Sequence, residues 1–269
     1  MEKIEKSVES FTKDLLFLNN MALSFPFLIK AYKLKADDAT IKRLTKLLEN
    51  ITFRYLIRGG RAEIESILNY HLIQIDTLES IQINIKDIIS NIKTNGWWYY
   101  WNDNTLNEYL NSGSFYGNRV DNYLLWKYEL YLGNENHPVP HRVTFSDLIS
   151  NENIEHIAPQ KPTNENPIAN GYGIYDDREN ANEGIVSGNW INSLGNLMLI
   201  SQRHNSSIGN KPFQDKLISY GKDNLLNQQK QIENFVRDRS NPVWDKEAIQ
   251  KRLENIVKAS KEIWNLDNI

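Results

Sequence analysis

The sequence predicts a mainly α protein with a small β-hairpin: an N-terminal helical bundle, then a second unit in which helices surround the hairpin. Three observations predict this. Apolar residues recur at intervals of three and four from Met1 to about Ile92, the signature of amphipathic helices. After Gly133 the texture changes to Pro-, Asn- and Gly-rich sequence that holds two short aliphatic runs, "NIEHIAPQK" and "LGNLMLIS". From about Asn205 to the end, helical spacing returns. The change of texture places a helical domain at 1–135 and a second domain at 136–269.

Within the first domain, Ile41, Leu44, Leu47, Leu48 and Ile51 form one apolar stripe, and Ile64, Ile67, Leu68, His71 and Leu72 form another. Gly59-Gly60 marks the break between their helices. The run "NGWWYYWNDNTLNEYL" gathers Trp97, Trp98, Tyr99, Tyr100 and Trp101. Such a cluster either stacks bases or fills a core, and beside a bundle the expectation is packing. The helix "RVDNYLLWKYELYLG" is expected to close at Gly133, a C-cap-like position.

In the second domain, "NENHPVPHRVTFSDL" reads as a loop, and residues 162–190, poor in aliphatics, as a long surface loop. A short strand, "LGNLMLIS", follows, then helices over Asn205 to Tyr220 and Asp223 to Arg239. A last helix starts near Pro242 and carries Trp244, Ile249, Leu253, Ile256 and Ile263 on its apolar side.

Composition excludes several classes of function. With no cysteine there is no disulfide, thiolate zinc site or cysteine nucleophile, which suits a cytoplasmic protein. The apolar run around Pro26 is interrupted too often for a membrane helix, and the N-terminus is too acidic for a signal peptide. A formal net charge of −3 gives no general attraction to nucleic acid, although basic residues outnumber acids between Arg203 and Arg239. Phosphate loops, nucleophile elbows and helical paired-histidine zinc motifs are all absent.

The chemistry-bearing pattern is the order Glu155-His156, Asn196, Asn205. A strand, a long connection, a second strand and a helix can turn the histidine and the helix's first polar residue toward one metal. Glu155 and Asn205 offer oxygens, which suit a hard, largely hydrated ion such as Mg²⁺ or Mn²⁺. His156, neutral near pH 7, can take a proton from an attacking water, and Asn196 can fix the loop and orient the histidine. Asn205 also fits a helix N-cap. His204 is a further candidate metal ligand, and Asn210, Lys211 and Lys216 are candidate phosphate contacts. His71 reads as a core histidine, His137 and His141 as surface residues, and Asp176-Asp177 as solvated loop acids.

These residues resemble the His-Asn-His motif of ββα-metal (His-Me finger) endonucleases. More narrowly, "IEHIAPQ", "LGNLMLIS", "HNSSIGNKPFQDK" and the tail "VWDKEAIQKRLENIVKASKEIW" resemble the C-terminal nuclease family of GmrSD-type, modification-dependent restriction enzymes. The tail lies outside the active-site motif yet keeps the pattern Trp244, Ile249, Arg252, Trp264. The resemblance is strong over residues 143–266. It implies an HNH-family DNA endonuclease, dependent on Mg²⁺ or Mn²⁺ and serving anti-phage defence, with His156 as general base and Glu155 and Asn205 at the metal.

The sequence departs from the pattern at two points. The Asp-Gly-Gln-Gln-Arg signature of the family's NTP-binding module is absent, which implies a separate partner domain or subunit. Glu155 replaces the more common Asp, and its longer arm favours a water-mediated contact with the metal. The alternatives are an inactive adaptor subunit that binds a DNA-reading NTPase, or an RNA-cleaving toxin.

Overall fold

The computed structural model describes residues 13–19, 21–59, 64–94, 101–111, 114–118, 120–135, 153–161, 170–172, 190–222 and 226–269. It is mainly helical with one two-stranded antiparallel sheet. The chain forms two compact units: Met1–Tyr109 with Trp264–Ile269, and Leu110–Ile263. The texture of the sequence predicts a boundary near residue 135, and the helix before it lies in the second of these units.

The first unit contains α1 (Lys13–Phe17), α2 (Met21–Lys33), α3 (Asp38–Ile57), α4 (Ile64–Ile73) and α5 (Leu78–Lys93). α6 (Asp103–Leu110) ends at the unit boundary. The α3 stripe of Ile41, Leu44, Leu47, Leu48 and Ile51 packs into one core with Phe27, Leu68, Ile81, Ile85 and Ile88. Capping sets the helix starts: Asp37 accepts from the Thr40 amide at 2.8 Å, and Thr77 and Ser80 form a reciprocal box. Trp101 and His71 are buried in this unit, the latter with Nδ1 2.9 Å from Asn84 Oδ1. Trp97 to Tyr100 lie outside the described residues.

Among the buried charges of this unit is Arg54. It donates to Asn50, to the Trp101 carbonyl, to Asp103 and to the Trp264 carbonyl at 2.5–2.9 Å, which satisfies a guanidinium that burial would otherwise penalise. Trp264 stacks on Phe53 with centroids 3.7 Å apart and donates Nε1–H to Glu49.

The second unit contains α7 (Asp121–Glu135), β1 (Ile154–His156), β2 (Leu197–Leu199), α8 (Gln202–Ile208), α9 (Phe213–Lys222), α10 (Asn227–Gln231) and α11 (Lys246–Ile263). α7 runs through Gly133 rather than stopping there. Its buried Glu129 accepts from the Asn227 and Gln228 amides at 2.6 and 3.0 Å, so a carboxylate from another helix satisfies the open start of α10. β1 and β2 pair Ile154 with Leu199, Glu155 with Met198 and His156 with Leu197.

The expected single helix over 205–220 is two helices. α8 begins at Gln202 behind the N-cap Ser201 and ends at Gly209, whose φ of +52° suits glycine; Pro212 then precedes α9. The expected 223–239 helix is α10 followed by a 3₁₀ turn, Ile232–Phe235. Trp244 precedes α11 instead of lying on it, and is fully buried with Phe213, Phe235 and Met198. Most of the long 162–190 loop, together with His137, His141, Asp176 and Asp177, lies outside the described residues. Residues 170–172 are held down: the Asn170 carbonyl accepts from Phe213 N, and the Gly171 carbonyl from Trp244 N. Among the described residues no helix is long and apolar enough to cross a membrane.

Candidate active site

Successive side chains of a strand face opposite sides, and β1 uses this to separate the two residues of its acid-histidine pair. Glu155 points into the unit, where Oε1 accepts from Lys216 Nζ at 2.6 Å and from the Tyr220 hydroxyl at 2.8 Å. Burial pushes the Glu155 carboxyl up and the Lys216 ammonium down, while their contact opposes both shifts. Lys216 also donates to the carbonyls of His156 and Ile157 at 2.9 and 3.2 Å. Its three protons are thus satisfied, and the backbone at the end of β1 is clamped.

His156 is half-buried and faces a cleft of about 410 Å³ lined also by Ile154, Glu155, Pro159, Gln160, Lys161, Asn205, Gly209 and Asn210. Its Nε2 lies 3.2 Å from Asn192 Oδ1, and the Tyr116 ring packs edge-on against it at 4.5 Å. Burial lowers its pKa to about 4; the nearby Lys216 charge adds to this and the Asn192 hydrogen bond opposes it. The imidazole is therefore neutral at pH 7 and can accept a proton.

The loop after β1 hangs on Asn196, which is completely buried. Its Oδ1 accepts from Ala158 N at 2.8 Å and from Trp244 Nε1 at 2.9 Å, and its Nδ2 donates to the carbonyls of Ala158 and Ile191. Asn196 therefore ties the turn after His156 to the segment before β2. Arg252 secures that same segment, donating from one nitrogen to the carbonyls of Leu194, Gly195 and Leu197 at 2.6–3.1 Å. A Cβ at Gly195 would stand 2.2 Å from the Ile249 carbonyl oxygen, so α11 lies directly on this backbone. Three tail residues singled out in the sequence, Trp244, Ile249 and Arg252, are thus the residues that hold Asn196 and its neighbours.

The remaining expected site residues divide. Asn205 does not cap α8; it sits one turn inside the helix, half-buried, lines the cleft, and makes a long 3.5 Å contact from Nδ2 to the Ile154 carbonyl. Asn210 lines the same cleft. Glu155 also lines the cleft, and its Oε1 is engaged by Lys216 and Tyr220. Lys216 is corrected as a phosphate contact, since its side chain is 1% exposed and bound to protein oxygens. His204 is corrected as a metal ligand at this cleft: it is buried, with Nε2 2.8 Å from Ser219 Oγ and Nδ1 3.1 Å from Gln229 Nε2. Lys211 is exposed and is not part of the cleft lining.

Sequence reasoning missed Asn192, Tyr116, Gln160 and Lys161. The last two continue the quoted motif and could have been read from it. Asn192 and Tyr116 lie 36 and 40 residues from His156 and carry no local signal.

Among the described residues no three His, Cys, Asp or Glu side chains converge on one point. The cleft offers neutral donors, the amides of Asn205 and Asn210 and the imidazole of His156, together with Glu155, whose Oε1 is already paired with Lys216 and Tyr220. That set does not build a closed cation cage. It does fit a hard ion such as Mg²⁺, which keeps several waters and takes its charge partner from a substrate phosphate.

A short strand pair presents a neutral half-buried histidine, able to accept a proton, to a cleft that the following helix lines with an amide. The family model of the C-terminal domain of GmrSD restriction endonucleases matches residues 100–259, 160 of the 269 in the chain, and the chain belongs to that family. It is accordingly a nuclease-family domain of a restriction endonuclease type. The match starts before α6 and so includes α7, in keeping with the unit that begins at Leu110. No curated protein and no solved structure matches it.

Proposed function

We propose that this chain is an HNH-like, ββα-metal endonuclease that hydrolyses DNA phosphodiester bonds with Mg²⁺ or Mn²⁺. We further propose that it works in the cytoplasm as the nuclease part of a modification-dependent anti-phage restriction system, alongside an NTP-binding partner domain or subunit. The observation that carries the reading is the neutral His156 at the end of β1, facing one cleft with Asn205.

In this reading the Nδ1 lone pair of His156 takes a proton from water as the water oxygen bonds to phosphorus and the P–O bond to the leaving sugar oxygen breaks. Asn205, with Asn210 beside it, would hold the metal. When bound, that ion stabilises charge on the leaving oxygen and the phosphate. Gln160 and Lys161, at the cleft rim, take the phosphate-facing role expected of Lys216. Lys216 and Glu155 keep β1 in place from behind.

The test is nicking of supercoiled plasmid in Mg²⁺ or Mn²⁺. His156→Ala is expected to abolish nicking with an unchanged thermal midpoint, and full activity in that variant refutes the assignment. Cleavage of RNA but not DNA would replace the substrate class. Absence of any cleavage by the wild-type chain would favour an adaptor role.

A further inference from the structure

Asn192 stands apart in the second unit because its two ends are fixed by different parts of the chain. Its carbonyl oxygen accepts from the amides of Phe115 and Tyr116 at 2.8 and 3.0 Å, in the turn that precedes α7. Its side-chain Oδ1 faces the end of β1, 3.2 Å from His156 Nε2 and 3.2 Å from Gln160 Nε2. The same turn supplies Tyr116, whose ring packs against the imidazole. Three segments distant in sequence thus make a cradle for one side chain.

An amide oxygen can only accept, and the structure turns the Asn192 oxygen toward both the imidazole and the Gln160 amide nitrogen. The imidazole nitrogen facing it must therefore carry its proton. In a neutral ring that leaves Nδ1 as the single basic nitrogen. We infer that Asn192 is the positioning residue of the site, locking His156 in the Nε2–H tautomer and orienting Nδ1 as proton acceptor, with Tyr116 restraining the ring's rotation. The inference deepens the nuclease reading and rests on it for its catalytic consequence, while the tautomer rests on the orientation of the Asn192 amide.

Other groups around the ring do not compete for this role. Lys216 approaches from behind the strand, where it is bound to Glu155 and to backbone carbonyls, and Tyr220 donates to the same carboxylate. Lys161 lines the cleft.

The experiment is long-range ¹H–¹⁵N correlation NMR of the full chain labelled in its five histidines, with His156→Gln assigning the signal, combined with plasmid nicking. At pH 7 the wild type is expected to show His156 as Nε2–H. Asn192→Leu removes the acceptor at similar volume; it is expected to give a mixture of tautomers and a roughly 10- to 100-fold fall in kcat at little-changed KM. Asn192→Asp, which keeps an acceptor oxygen, should restore the tautomer and recover part of the lost rate. Gln160→Ala should leave the tautomer as it is.

An Nδ1–H signal in the wild type, or wild-type kcat in a folded Asn192→Leu variant, overturns the proposal and leaves the nuclease reading standing. A wild-type chain that nicks nothing removes the nuclease reading, while the tautomer spectrum still decides the positioning claim. If Asn192→Leu fails to fold, the wild-type spectrum and the Asn192→Asp variant carry the test.

Discussion

At the scale of single residues, the site is governed by which face of β1 a side chain occupies. His156 has a depressed pKa because burial disfavours its charged form. A base works when deprotonated, so activity should persist as pH falls below the usual histidine value of 6.5 and be lost only near pH 4. A pH profile of kcat/KM tests this, and an acid limb centred near 6.5 would contradict the burial of the ring. The sign for stability is the same: between those values the unfolded chain binds the proton more readily, so acidification through this window favours unfolding. On the opposite face, Lys216→Met strands a buried carboxylate and two backbone carbonyls, and the expected loss is about 3–5 kcal/mol. Urea denaturation measures it; a loss below about 1 kcal/mol would mean that the pair holds nothing in place. Glu155→Leu in the Lys216→Met background should recover part of it, since the lone buried charge is then gone.

Elements explain why a tail far from the histidine travels with it in the sequence. α11 presses the Ile249 carbonyl against Gly195, and Arg252 and Trp244 bind the segment that carries Asn196. Gly195→Ala must displace backbone rather than a flexible side chain, so we expect a loss of about 1–3 kcal/mol together with reduced nicking, because Asn196 is the next residue. Gly221→Ala provides the contrast. It lies in α9 with open space around its missing side chain, and alanine there should stabilise by about 0.5–1 kcal/mol. Paired chemical denaturation curves check both signs. If the two variants behave alike, the α11 contact is not what constrains Gly195.

For the molecule as a whole, the relevant question is what a metal would do to the fold. Among the described residues there is no acidic cluster whose repulsion a cation would relieve, and the carboxylate that lines the cleft, Glu155, is already paired with Lys216. Chelation with EDTA is therefore expected to stop nicking while leaving the thermal midpoint unchanged, unlike a structural zinc domain that unfolds without its ion. A large fall in the midpoint would show that a cation is built into the fold.

Much of this was legible in the sequence for reasons that can be named. Helical stripes such as Ile41 to Ile51 are local and periodic, and they became the core of the first unit as expected. The strand pair was legible because its two aliphatic runs stand out against polar surroundings, and the motif placed His156 and Asn205 on one cleft. Boundaries were less legible. Gly133 reads as a stop, yet α7 continues to Glu135. Asn205 was read as a cap, yet Ser201 does that work four residues earlier.

By itself the sequence determined the helical class, the strand pair and the family, all of which depend on short-range spacing or on ordered motifs. Only the tertiary structure decided the partners. It paired Glu155 with Lys216, drew His204 into the interior and brought Asn192 to the imidazole from 36 residues away. The physical reason is that strand alternation and helix rotation fix a side chain's direction only once its element is docked, and hydrogen-bond partners distant along the chain leave no periodic trace.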